Sequence, residues 1–132
     1  MGWFVGVDVG CPVIIRPATQ TPMSAIKLVE ILKEAGLPNG WAQAVVCDRN
    51  AGELLVTSPK TAFFTFIGSG PVGWYLNSKS SPGTRSALEH GGVAPVIVEP
   101  DADIEAMIPD LVKGGFYHAG QVCVSVQRIF VH

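Results

Sequence analysis

Six consecutive residues, Ala62 to Ile67, read AFFTFI, and Gly68-Ser69-Gly70 follows at once. A run this short, aromatic and free of a polar face predicts a strand buried on both faces, as in parallel sheets flanked by helices. The glycine turn predicts a connection into a helix over Val72 to Lys79. The same rhythm precedes it. PVIIR (Pro12–Arg16) reads as a strand, and Pro17 and Pro22 bracket a turn that neither a helix nor a central strand tolerates. Ser24 is the expected N-cap of a helix in which Ile26, Leu28, Val29, Ile31 and Leu32 recur as far as Ala35, with Gly36 and Pro38 as its stop. AVVC (Ala44–Cys47) is the next expected strand and Gly52–Thr57 a short helix. Ser86–Leu88 then leads a strand into Gly91-Gly92, and PVIV (Pro95–Val98) is the fifth. Strands alternating with helices predict an α/β fold with three layers, helices covering both faces of a parallel sheet.

In such sheets ligands bind beyond the carboxyl ends of the strands, which directs attention to the turns after Arg16, Ile67 and Leu88. After Gly92 the rhythm changes to an acidic stretch (Glu99, Asp101, Asp103, Glu105) and a helix expected over Ile104–Lys113. A domain boundary is expected near residues 92–95. With 48% hydrophobic and 15% charged residues the chain is no disordered segment. A net charge of −2 with scattered Lys and Arg argues against a nucleic-acid partner. No apolar run is long enough to span a membrane, and MGWFVGVDVG lacks the features of a signal peptide. Cys11, Cys47 and Cys123 are odd in number and show no CxxC spacing, which argues against a disulfide framework or a zinc site and suits reduced thiols in the cytoplasm.

Three motifs carry chemistry, each with a plainer alternative. Phe66 to Gly73 (FIGSGPVG) can cradle a phosphate on a helix N-terminus or be an ordinary strand-to-helix connection. In Leu88-Glu89-His90-Gly91-Gly92, the Glu89 carboxylate at a strand's end can act as a general base or stand as a solvated side chain. His90 beside it is a proton carrier or a plain hydrogen-bonding group. In Phe116 to Cys123 (FYHAGQVC), Cys123 is either a nucleophile, with Gly120 leaving backbone N–H groups approachable, or a buried apolar thiol. His118 adds the alternative of a cysteine hydrolase. Cys11 and Cys47 read as core or strand-end thiols.

The order and spacing of these blocks resemble the aldehyde dehydrogenase superfamily. The resemblance rests on Ile15-Arg16-Pro17-Ala18 with Gln20-Thr21-Pro22, Glu34-Ala35-Gly36-Leu37-Pro38, Phe66-Ile67-Gly68-Ser69, the glutamate motif Leu88–Gly92 and the cysteine motif Gly120–Cys123. It implies a Rossmann-like parallel sheet, with residues 10–92 as part of an NAD(P)-binding domain and 93–132 as the start of a second, catalytic α/β domain. Residues 1–9 are left unmatched. The implied reaction oxidises an aldehyde to a carboxylic acid with NAD or NADP, through a thiohemiacetal and then a thioester on Cys123, which water activated by Glu89 hydrolyses. Arg16, Ala18, Thr19, Gly68, Ser69, Val72, Gly73, His90 and Gly91 are the implied cofactor-binding residues, and no metal is implied.

Four positions depart from the family pattern: Arg16 stands for the usual lysine, His90 for leucine, Val93 for lysine, and Thr19 for the glutamate common in NAD-preferring members. Thr19 removes a repulsion from a 2′-phosphate. The resemblance also implies longer, homo-oligomeric relatives that carry an oxyanion-hole asparagine upstream and a second ribose-binding glutamate downstream. This chain is thus expected to be an internal piece, with little activity alone. The remaining alternatives are a non-catalytic nucleotide-binding module and a hydrolase.

Overall fold

A computed structural model describes residues 10–132, so the expectation for residues 1–9 lies outside the described part. Six strands form three separate two-stranded sheets, each of them parallel. The chain divides into two compact units. One is the described part of Met1–Ala62 with Ser80–Gly83, and the other is Phe63–Lys79 with Thr84–His132.

In the first unit β1 (Val13–Ile15) pairs with β2 (Ala42–Ala44), and α1 (Met23–Glu34) lies between them in sequence. Ile15, Val29 and Ala42 are buried together, with Leu28, Leu32 and Leu37 packed around them. Helix α1 begins one residue before the expected Ser24 cap. Pro22 occupies the cap with φ −78° and no side-chain bond, and its carbonyl accepts from Ile26 N–H at 3.2 Å. Proline suits this place because its fixed φ is already helical. The helix closes in a Schellman motif, Gly36 N–H on the Lys33 carbonyl and Leu37 N–H on that of Leu32, both at 3.0 Å.

Strand β2 falls two residues earlier than AVVC suggests, and Pro17 supplies the reason. The parallel ladder runs from Val13 N–H on Trp41 O (2.7 Å) to Val45 N–H on Ile15 O (2.8 Å). The next rung would need an N–H from residue 17, and proline has none. The chain instead turns into α2 (Arg49–Thr57), which starts three residues before the expected Gly52 because Asp48 caps it, its Oδ1 accepting from Ala51 N–H at 2.8 Å.

In the second unit β3 (Phe63–Gly68) pairs with β4 (Arg85–His90). Their connection includes α3 (Gly70–Lys79), whose first turn takes in Gly70 and Pro71, two residues ahead of expectation. The expectation of burial on both faces fails. Phe64 is buried, but Phe63 is 53% and Ile67 64% exposed. Side chains alternate across a strand, and α3 covers only the face of Phe66 and His90. Nor is β3 central, since β4 is its one paired neighbour among the described residues. β4 runs two residues beyond Leu88, so Glu89 and His90 stand inside the strand rather than in the turn after it. β5 (Pro95–Val98) lies where PVIV places it and pairs with β6 (Arg128–Val131). Helix α4 (Ile104–Phe116) is capped by Asp103 and passes the expected end at Lys113 by three residues, through Gly114 and Gly115. Gly114 allows Val126 to approach: a Cβ there would lie 3.0 Å from its methyl, and Val126 N–H donates to the Gly114 carbonyl at 3.0 Å.

Candidate active site

Cys123 sits in a tight turn after a short 3-10 segment (Tyr117–Gly120), not at a helix N-terminus. The turn is closed from both ends. Ser125 N–H donates to the Val122 carbonyl at 3.0 Å, and Val122 N–H donates to Ser125 Oγ at 3.3 Å. Ser125 is only 2% exposed, whereas Cys123 is exposed, which removes the buried-thiol alternative. His118 and Ala119, ahead of the turn, hold φ of 48° and 56°, a left-handed conformation uncommon outside glycine. The His118 ring packs on Tyr117 with centroids 4.2 Å apart.

The glutamate motif comes directly against the cysteine turn. A Cβ on Gly92 would stand 2.7 Å from the Cys123 carbonyl oxygen, a separation that real side chains do not adopt. Only a bare Cα lets the two segments meet. They are also bonded, since Gln127 N–H donates to the Val93 carbonyl and Gln127 Nε2 to that of Gly92, both at 2.9 Å. Ser125 and Gln127 are the structural residues that motif reading missed. Their place just after the cysteine motif was the only available signal.

Strand β4 sends its two neighbouring polar residues to opposite faces. Glu89 lies beside Ile67 in the ladder and His90 beside Gly68. Glu89 is exposed on the face away from α3. His90 lies under α3, edge-to-face with Trp74 at 5.4 Å, and its Nε2 is buried without a partner. A Cβ on Gly73 would collide with that ring, and one on Gly68 would meet the Phe66 ring at 2.6 Å. The glycines at these two positions thus make room for the protein's own aromatic side chains. Ser69 and Val72 are exposed at the start of α3, and Gly91 is exposed just past β4.

The remaining candidates belong to the first unit. Arg16, at the carboxyl end of β1, donates from Nη2 to the Cys47 carbonyl at 3.1 Å. Its guanidinium lies over Gly52, where a Cβ would be 2.9 Å from Nε. That Nε is buried with no partner, a charged donor free for an incoming acceptor. Ala18 and Thr19 are exposed in a turn closed by Thr21 N–H on the Ala18 carbonyl at 3.1 Å. Each unit by itself thus carries groups that fit part of a dinucleotide: in the first an unpaired guanidinium nitrogen and a hydroxyl-bearing turn, in the second a ten-residue helix preceded by Gly68-Ser69. Among the described residues no three His, Cys, Asp or Glu side chains gather as a metal site, and no helix is long and apolar enough to cross a membrane.

Parallel strand pairs with helices between them in sequence, β1–α1–β2 and β3–α3–β4, define a protein of the α/β class. The model of the aldehyde dehydrogenase family matches residues 4–132, and the chain belongs to that family of oxidoreductases. The match takes in residues 4–9, which the motifs alone left out. The 3-sulfolactaldehyde dehydrogenase of Priestia aryabhattai is 43% identical over 125 residues, covering 93% of this chain and 26% of that protein. The solved succinate-semialdehyde dehydrogenase of Burkholderia pseudomallei superposes with a TM-score of 0.84 at 37% identity, over 93% of this chain and 26% of that one. A betaine aldehyde dehydrogenase of Staphylococcus aureus, solved with NAD+, superposes at 0.90 with 29% identity, over 98% of this chain and 26% of its own. These likenesses show the Rossmann-like α/β fold, and the chain spans about a quarter of the length of these relatives.

Proposed function

We propose that this chain carries the acyl-forming and acyl-releasing residues of an NAD(P)-dependent aldehyde dehydrogenase, with Cys123 as nucleophile and Glu89 as general base. The observation that carries the proposal is the seating of Gly92 against the Cys123 carbonyl, which ties the two motifs together. Cys123 Sγ attacks the aldehyde carbon, and its own N–H donates to the resulting oxyanion in this reading. A bound nicotinamide would supply the hydride acceptor needed to turn the thiohemiacetal on Cys123 into a thioester. Glu89 then removes a proton from water as the water attacks that thioester, and Cys123 leaves as thiolate.

Within the second unit we assign Gly68, Ser69 and Val72, in the first turn of α3, to the pyrophosphate. Gly73, His90 and Gly91 support that turn. Within the first unit Arg16, Ala18 and Thr19 are assigned to the adenosine ribose. Thr19 and Arg16 together suit NAD and NADP alike, since Thr19 stands where NAD-preferring members commonly carry a glutamate. The proposal includes residues 10–92 as the cofactor-binding part and 93–132 as the start of the catalytic part. It also includes a small aldehyde as substrate, a cytoplasmic setting consistent with three free cysteines, and homo-oligomeric assembly of the longer enzyme.

An acyl donor tests the chemistry without cofactor. Treated with p-nitrophenyl acetate, the chain is expected to become acetylated at Cys123 rather than at exposed Cys11, as read by peptide mass mapping. Glu89→Gln should slow loss of the acetyl group by about 10²–10⁴-fold, the usual worth of general base catalysis. Equal labelling of Cys11 and Cys123, or an acetyl group indifferent to Glu89, would refute the assignment.

A further inference from the structure

We propose that Gln127 is a positioning residue: its side-chain amide holds the segment after Glu89 onto the Cys123 turn and so sets how fast a thioester on Cys123 is hydrolysed. The inference rests on the acyl-transfer reading above. Gln127 grips two consecutive carbonyls. Its backbone N–H takes Val93 and its Nε2 takes Gly92, each at 2.9 Å. The backbone bond continues the β5–β6 ladder and any non-proline residue would make it. The side-chain bond depends on the amide, spans 35 positions of sequence, and ends on the residue whose Cα touches the Cys123 carbonyl.

On one side of this bond the structure is already firm. The Cys123 turn closes on buried Ser125, and Val126 N–H is bonded to the Gly114 carbonyl at 3.0 Å. On the other side stand Gly91 and Gly92, both exposed, which give the backbone after Glu89 more freedom than any other residue pair. Ala94, two residues past Gly92, holds φ 38°, in the left-handed region. Two permissive residues followed by a strained one hold their path only if something fixes them, and the Gln127 amide does so at Gly92. Losing that donor leaves an exposed carbonyl that water can satisfy, so the fold loses little while Glu89 gains a wider range of positions. Attack by Cys123 on an acyl donor does not use Glu89. Hydrolysis of the product does.

The experiment follows p-nitrophenyl acetate through both halves of the reaction. Cys123 Sγ bonds to the acetyl carbon and p-nitrophenolate leaves with the electron pair. Water then adds to that carbon, its proton passes to Glu89, and the carbon–sulfur bond breaks to release acetate and thiolate. Intact-mass spectra give the rates of formation and decay of the acetyl chain. Gln127→Glu keeps the shape and removes the donor, Gln127→Ala removes both, and Gln127→Lys restores a donor. Formation should be the same in all. Decay should slow about tenfold to a hundredfold in Gln127→Glu and Gln127→Ala, as ångström-scale misplacement of a catalytic group produces. Gln127→Lys should recover most of it. Hydrogen exchange over residues 88–94 should rise in Gln127→Glu while residues 63–68 stay protected, which confirms folding. A wild-type chain never acetylated at Cys123 overturns the acyl-transfer reading and this inference with it. Decay that Glu89→Gln slows and Gln127→Glu does not, or unchanged exchange over 88–94, overturns this inference alone.

Discussion

The two ends of the chain are held by different means. The β1–α1–β2 region gathers Ile15, Val29 and Ala42 into a small closed core with Leu28, Leu32 and Leu37 around it. The region from α4 to β6 leaves Phe116, Val124, Phe130 and Val131 more than half exposed, and polar Ser125 is its most deeply buried side chain. Order around Cys123 therefore comes from hydrogen bonds and close backbone approach: Ser125 on Val122, Gln127 on Gly92, Val126 on Gly114. Apolar burial is non-directional and tolerates repacking, so it suits the scaffold. Hydrogen bonds fix direction, so they suit the place where the proposed nucleophile must be held in one orientation.

Truncation separates the two regimes most sharply. Ile15→Ala, in the closed core, should lower stability by about 2–5 kcal/mol, read from urea unfolding. Phe130→Ala removes a larger side chain from an exposed site and should change it by less than about 0.5 kcal/mol. Equal losses would break the contrast. A smaller effect is expected where an aromatic ring fills a glycine's space: Gly73→Ala should cost about 1–3 kcal/mol through overpacking against His90. His90→Ala in the same chain should return most of that loss. If the double variant is as unstable as the single one, the cost at Gly73 lies in α3 itself. The smallest effect belongs to the caps. Asp48→Ala and Asp103→Ala should each cost about 1 kcal/mol. Asp48→Ala should loosen α2 alone, and amide exchange localised to residues 49–57 checks it.

What could be read from sequence, and what could not, follows the same division. AFFTFI before a glycine turn, PVIIR before a proline and PVIV after Gly92 announced the strands, because apolar runs and breakers are local properties of the chain. Strand limits depended on partners. Pro17 ended β2 by withholding a donor on the neighbouring strand, and the Gly68–His90 pairing drew β4 past Leu88. Asp48 and Asp103 cap α2 and α4, a local signal that lies outside the apolar pattern of the helices themselves. Cys123 and Glu89 stood out through their motifs, whereas Gln127 and Ser125 carry no signal of their own. Ser125 acts within its own turn, and Gln127 matters because the chain returns to Gly92 across 35 positions, which no spacing rule contains. The one-sided cover of β3 was misread because composition cannot say which face a helix will take.

The alternation along β4 has a consequence for how such a chain can change over time. Glu89 and His90 share a peptide bond yet face opposite sides, so parity in the ladder with β3 is all that separates a solvent-facing carboxylate from a ring packed beneath a helix. A single codon lost or gained between Arg85 and Glu89 would exchange their surroundings, putting a charge against Trp74 and an imidazole on the face Glu89 now occupies. The same event in the loop at Ser80–Gly83 leaves that parity untouched. Length variation in descendants of this gene is thus confined by geometry to the approach to β4, and the strand itself can drift only by substitution.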